Sequence, residues 1–417
     1  MLIKERSFFR KLVGVLIGSY CWITIVGGPP ALPAADLTVP LFEIASFGTI
    51  TDNTLKVSSL ARTTLALQGG YKYGATLRLA LASRDLSKSL GYGTLTLSPV
   101  SAAPTADDYN KLIDRLNNQA YLGFELAKVR ASGLFNLPLE LAYFVGYGDV
   151  LCSGDDFSFY FGSPSIGTSF RGLSYFPQGI NEDMLNQYDG IHQIIGTGFQ
   201  LTGMGNTHFV PILYIYQDGA MLDSTTGLPK EGIYSTDLRL LANTPLVKFE
   251  FFAGATYPYE SWGLYRGGIL AYFSTESGAG FLTQIGIPAW KGGESFSIDN
   301  LYVLFEPRMH FGPVGFTTTV FYHPIWYHQR QYLSERGSTD INIQLYFRNE
   351  DALLGGIENT LYFRSSPTED TLSWRIAPFL RVTTDGLRWD WKVRINPLAY
   401  QNIPSMFEIY LSVRTAY

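Results

Sequence analysis

The constraint that dominates this chain is a strict alternation of two chemically different faces, repeated over many short segments. From Leu387 to Asn396 one face reads Leu387, Trp389, Trp391, Val393, Ile395 and the other reads Arg388, Asp390, Lys392, Arg394, Asn396. Segment 71–82 does the same, with Tyr71, Tyr73, Ala75, Leu77, Leu79 and Leu81 on one side and Lys72, Gly74, Thr76, Arg78, Ala80 and Ala82 on the other. Across 71–82, 137–147, 247–257, 372–383, 387–396 and 407–417, none of 35 positions of apolar parity is charged, whereas 13 of the 32 opposite positions are. A period of two belongs to extended strands whose two faces meet different surroundings. The chain is therefore read as all-β.

Composition narrows the choice. Only 16% of residues are charged, against roughly 25% in soluble domains, while 28 Phe, 27 Tyr and 7 Trp exclude a disordered chain. A net charge of −5 supplies no broad basic field for nucleic acid. At the amino terminus Lys4, Arg6, Arg10 and Lys11 precede the uncharged run Leu12–Val26, which leads into a Gly/Pro/Ala stretch. That is the layout of a secretory signal peptide, with cleavage expected after Ala34 or Ala35. An uncleaved anchor is the rival reading, but 15 residues fall short of the roughly 20 that span a bilayer. Residues 1–34 thus form the expected signal peptide and 35–417 the barrel, whose net charge is −8 once four basic residues and one acidic residue are removed. Cys21 leaves with the signal, and Cys152 remains as a lone thiol that can form no internal bridge.

A soluble sandwich also alternates, with its apolar faces turned inward. A signal peptide, many long strands and aromatics at strand ends favour instead a closed transmembrane barrel, apolar outside and polar within. The final residues, Met406 to Tyr417, place Phe407, Ile409, Leu411, Val413, Thr415 and Tyr417 on one face and stop on an aromatic. This segment resembles the terminal strand of bacterial outer-membrane β-barrel proteins. The resemblance implies location in the bacterial outer membrane, with membrane lipid and the barrel assembly machinery as partners.

Tight connections are expected at Gly69-Gly70, Ser132-Gly133, Gly203–Asn206, Asn243–Pro245, Thr275–Gly278, Gly312-Pro313, Asn349–Asp351 and Thr384–Gly386. They make sixteen strands. The terminal strand and a closing strand over 40–48 bring the count to eighteen, with sixteen as the fallback. The longest connections are 84–119 and 148–190. Thr105–Asp108, followed by Tyr109, Leu112, Ile113 and Leu116, predicts one short amphipathic helix in the first of these.

Eighteen strands leave a lumen of porin size. The inward positions near the carboxyl end carry Arg364, Arg375, Arg381, Arg388, Lys392, Arg394 and Arg414 against Asp390 and Glu408. The ladder resembles the basic wall of general porins, which an acidic inward-folded loop faces. Asp155, Asp156, Glu182 and Asp183 in 148–190 are the candidates for that loop. The bland reading is that these lumen charges pair with one another. The function expected is a channel for passive or substrate-biased diffusion of small, anionic solutes, with a possible homo-oligomer. A plugged transporter of apolar solutes, similar to the long-chain fatty-acid family, is the alternative; its Asn-Pro-Ala motif is missing, since Leu398 follows Asn396-Pro397. A surface adhesin acting through loops 218–231 and 324–338 is a third reading. Catalysis is not expected: five His residues, no Gly-x-Ser-x-Gly at Ser163–Gly167 and no metal or phosphate motif give no site, and no cofactor or metal is implied.

Overall fold

In the computed structural model the alternating segments close into one antiparallel ring. The structure describes residues 36–37, 41–51, 54–70, 72–83, 120–164, 166–168, 190–206, 208–221, 230–259, 262–275, 277–322, 324, 326–327, 331–332, 338–349, 352–365 and 370–415. The first six strands are β1 Leu41–Thr51, β2 Thr54–Gly69, β3 Tyr73–Ser83, β4 Ala120–Ser132, β5 Leu139–Leu151 and β6 His192–Gly203. Next come β7 Phe209–Asp218, β8 Tyr234–Asn243, β9 Val247–Tyr257, β10 Leu264–Ser274, β11 Ala279–Lys291 and β12 Tyr302–Phe311. The ring is completed by β13 Val314–Tyr322, β14 Thr339–Asn349, β15 Leu353–Ser365, β16 Asp370–Thr384, β17 Leu387–Ile395 and β18 Phe407–Thr415. Each pairs with its sequence neighbours, and β1 pairs with β18 from Glu43↔Arg414 to Thr49↔Glu408. Closure leaves no unpaired edge, the condition for placing a sheet in hydrocarbon.

The count is eighteen, and the eight tight connections fall where the turn chemistry places them. At the β16–β17 hairpin Asp385 (φ 41) and Gly386 (φ 82) both take the left-handed conformation that a two-residue turn demands. The closing strand runs Leu41–Thr51, longer than the 40–48 expected, and its two-residue link to β2 at 52–53 went unanticipated. Asp36–Leu37 prolongs β1 along β2 at Gln68 and Leu67. The signal segment and the helix expected at 105–116 lie outside the described residues. The helix the structure describes is α1, Asp156–Phe161, in the other long connection.

The two faces separate as the alternation requires. Leu238, Phe251, Ile285, Phe305, Leu345 and Ile357 are exposed on the outside, while Arg239, Glu250, Gln284, Glu306, Gln344 and Glu358 are buried within. An exterior so uniformly apolar suits lipid. Leu238→Arg, at the middle of β8, should therefore cost about 2–4 kcal/mol of barrel stability, read as a lowered urea midpoint of folding into vesicles. An unchanged midpoint would mean that this face meets water.

The interior is not uniformly polar. Phe144, Ile194, Tyr214, Tyr216, Leu241, Phe252, Leu270, Leu282, Tyr302, Leu304 and Phe321 form a buried apolar cluster inside the ring. Leu151 at the end of β5, and Cys152, Phe157, Ile166 and Ile191 from the connection between β5 and β6, complete it. A lumen wall with an apolar patch drives a loop inward by the same burial that drives folding.

Candidate constriction site

The loop that leaves β5 turns into the barrel and is clamped there by backbone and side-chain contacts. The Cys152 amide donates to Glu250 Oε1 at 2.6 Å, and Gln284 Nε2 donates to the Cys152 carbonyl at 2.7 Å. Tyr302 holds that amide by donating to Gln284 Oε1 at 3.0 Å. Farther along, the Thr168 hydroxyl donates to Glu306, and Arg308 Nη2 donates to the Gly167 carbonyl at 2.6 Å. Between these anchors α1 spans six residues and ends at Gly162, whose left-handed conformation (φ 64) lets its amide bond the Ser158 carbonyl. The Ser163 hydroxyl, one position on, donates to the Phe157 carbonyl at 3.2 Å, a structural contact.

The strongest clamp is ionic. Arg239 on β8 is fully buried; its Nη1 lies 2.6 Å from Asp156 Oδ2 and its Nε 2.7 Å from Glu250 Oε1. Asp149, on β5, stands 3.9 Å from the same guanidinium and accepts a 2.5 Å hydrogen bond from Tyr214. Beside this group Arg266 bonds both oxygens of Asp237 at 2.7 Å, and Tyr216 donates to Asp237 Oδ2 at 2.9 Å. Buried charges persist only when paired in this way.

Burial pushes the Asp156 carboxyl up to about 6 from its usual 3.8; Arg239 pulls it down, while Asp149 and Glu250 push it up. Burial, with Glu250, also pushes the Cys152 thiol up, and burial does the same to the Tyr160 phenol. The sign for Asp156 follows directly. Because its folded value is raised, its contribution to the docked loop is fully present below about pH 4 and is lost as pH rises through about 6. Docking should tighten as pH falls from 7 to 5, seen as quieter channel current with a midpoint near 6, and Asp156→Asn should flatten that dependence. Current noise that is equally pH-dependent in the variant would assign the titration elsewhere.

The basic strip lies on the far side of the ring. β17 is nine strands from β8 in either direction around eighteen, so Asp390 and Arg239 stand on opposing halves of the wall. Asp390 is the hub of the strip: Arg381 Nε lies 2.5 Å from it, Arg388 Nε 3.1 Å and Arg414 Nη2 3.8 Å. Three partly exposed guanidiniums share this carboxylate, and Glu43 on β1, paired in register with Arg414, is a second acidic group beside them. Lys392 pairs with Glu358, and Arg394 pairs with Glu408 while lying 5.4 Å over the Tyr410 ring. Both are buried, at 2% and 7% exposure, so their charge is neutralised locally. Arg375 packs 5.0 Å over the Tyr362 ring. Arg364 sits on β15 opposite Thr371, and its side chain, like Glu182 and Asp183, lies outside the described residues.

Thus the loop is turned inward, but the Asp156 carboxylate pairs with the Arg239 guanidinium and not with the strip; Asp155 occupies the N-cap of α1. The strip's own carboxylates take the pairing role expected of the loop. Sequence reasoning missed Arg239, Glu250, Gln284, Glu306 and Arg308. Their signal was present as opposite charges at inward parity on β8, β9 and β12, unused because the strip offered a simpler partner. No group of three or more His, Cys, Asp or Glu residues able to hold a metal ion occurs among the described residues.

No protein-family model and no curated protein matches this chain in sequence. Among solved structures it is similar to Acinetobacter baumannii OccAB3, at 10% identity and a TM-score of 0.51, over 90% of this chain and 97% of that one. Pseudomonas aeruginosa OccK8 (OprE) gives the same identity and score, over 90% of this chain and 96% of that one. Those neighbours are bacterial outer-membrane porins. The fold is the porin barrel. At one residue in ten identical the likeness is one of architecture, so solute preference must come from this chain's own lumen. In this barrel the lumen is asymmetric, with a clamped loop on β8–β12 and a basic hub on β16–β18.

Proposed function

We propose that the chain is an outer-membrane channel, not an enzyme, whose passage runs between the docked loop and the strip around Asp390. The observation that carries this reading is the one-sided clamping of the loop between Cys152 and Thr168 to β8, β9, β11 and β12, across the ring from Asp390. On that far side Arg381, Arg388 and Arg414 are partly exposed, and their positive charge raises the local concentration of anions. Small anionic solutes are therefore favoured, even though the chain is acidic overall. By the usual asymmetry of such barrels the tight turns face the periplasm and the long connections face outward. The mature chain is taken to begin after a cleaved signal peptide, to reach the membrane through the assembly machinery and to contact lipid over its apolar band.

Liposomes carrying the refolded chain test this. They should swell faster in a small carboxylate osmolyte than in an ammonium osmolyte of equal size, each paired with the same impermeant counter-ion. Equal rates would remove the anion preference and keep the channel; no swelling would remove the channel.

A further inference from the structure

One side chain on the lipid face is out of character with its surroundings. Asn359 alternates with the buried, inward-facing Glu358 and Thr360, so it points outward with Ile357, which is exposed. It lies six residues from each end of β15. At about 3.4 Å per residue and a tilt near 40°, six residues climb about 16 Å, which puts Asn359 at mid-depth of an apolar band about 25 Å tall. Its lateral neighbours are Ile343 on β14 and Ile376 on β16.

Trp374, on the same outer face of β16, donates its indole Nε1 to Asn359 Oδ1 at 2.7 Å. An indole N–H only donates, so this bond fixes the orientation of the amide. The Nδ2 group is then left with no acceptor among the described residues. By contrast Ser46 and Ser59, opposite one another on the outer face of β1 and β2, bond each other at 2.8 Å. Hydrocarbon offers an N–H no acceptor, and no water reaches that depth to supply one. The side chain is half-buried, so its outer edge is open to a neighbour. That neighbour must carry an acceptor to the middle of the bilayer. Lipid headgroup oxygens lie at the boundary, about half the band away, so the acceptor comes from protein.

The same face of a second copy meets this requirement by symmetry. About a two-fold axis along the membrane normal, Asn359 faces the second copy's Asn359 at equal depth. Each amide then donates through Nδ2 and accepts at the Oδ1 lone pair that Trp374 leaves vacant. We infer that the outer face of β14–β16 is a contact between two copies of this chain, closed by an Asn359 amide pair and sealed by Ile343, Ile357 and Ile376. The contact concerns the outer wall and is independent of what passes through the lumen.

Two measurements on the refolded full chain test it. Native mass spectrometry in detergent should find two copies at high protein concentration. Asn359→Leu should raise the dissociation constant about tenfold, the scale of two side-chain hydrogen bonds within a membrane. Asn359→Gln keeps the amide and should recover part of that loss, and both variants should keep the heat-modifiable gel shift. In lipid vesicles oxidised with copper phenanthroline, Asn359→Cys should form a disulfide-linked dimer. Phe251→Cys, on the outer face of β9 elsewhere on the ring, should not. A dimer that parts in detergent yet crosslinks through position 359 in vesicles supports the contact. Single copies in both settings would overturn it, as would three copies, equal crosslinking from Phe251→Cys, or a folded Asn359→Leu that pairs as tightly as the parent.

Discussion

Arg239→Met should release the inward loop while leaving the barrel folded. The guanidinium is fully buried and bonds Asp156 and Glu250 at 2.6 and 2.7 Å, with Asp149 3.9 Å away. Removing one partner from a buried ionic group strands the others, at a cost of about 3–5 kcal/mol. That corresponds to about two to four orders of magnitude in the ratio of docked to undocked loop. The apolar contacts of Phe157 and Ile166 persist and oppose release, so the loop should fluctuate without unfolding the ring around it. Cys152 reports the event. Its thiol is buried and held protonated, so a maleimide should label it slowly in the parent barrel and far faster in the variant. Conductance should rise and become noisier. Replacing Asp156 with Leu alongside Arg239→Met, with Glu250→Gln keeping an acceptor for the Cys152 amide, should slow labelling again in part, because the two carboxylates bonded to Arg239 lose their charge with it. Fast labelling in the parent would show that the loop is not clamped as described.

The second large effect concerns ion preference. Arg381→Glu with Arg388→Glu changes the charge around Asp390 by four units toward negative. One unit charge acts on a monovalent ion 8 Å away with about 0.5 kcal/mol in water. Four units amount to about 2 kcal/mol, about thirty-fold in ion partition, before screening by salt. The reversal potential under a potassium chloride gradient should therefore change sign. Removing a whole pair, Lys392→Met with Glu358→Gln, changes no net charge and should leave the sign unchanged where the protein folds. Selectivity that follows this pair instead would place the passage elsewhere.

Much of the architecture was legible because a barrel writes its two environments onto every strand. Leu387–Asn396 declares its faces residue by residue, and Asp385-Gly386 declares its turn. The terminal strand, read from Phe407 to Tyr417, called for a partner that Leu41–Thr51 supplies. The loop clamp was harder to see. In Phe209–Asp218 both parities are largely apolar: Val210, Ile212, Tyr214 and Tyr216 point into the lumen, and Phe209, Pro211, Leu213 and Ile215 point out. Alternation is silent there, and an inward apolar patch that receives a loop looks like an ordinary buried strand. Arg239 was likewise invisible as a clamp, because its partner Asp156 lies 83 residues away, on a loop that meets it only once folded into the ring. Charges at inward parity tell that a lumen is polar; only the ring's closure tells which of them meet.

The central claim is that water and small anions pass between the clamped loop and the Asp390 hub. Planar-bilayer recording of the refolded mature chain, with reversal potential under a salt gradient and a heat-modifiable gel shift as folding control, tests it most directly. The account predicts discrete steps with anion preference. A protein that is folded by the gel shift and remains silent would contradict it.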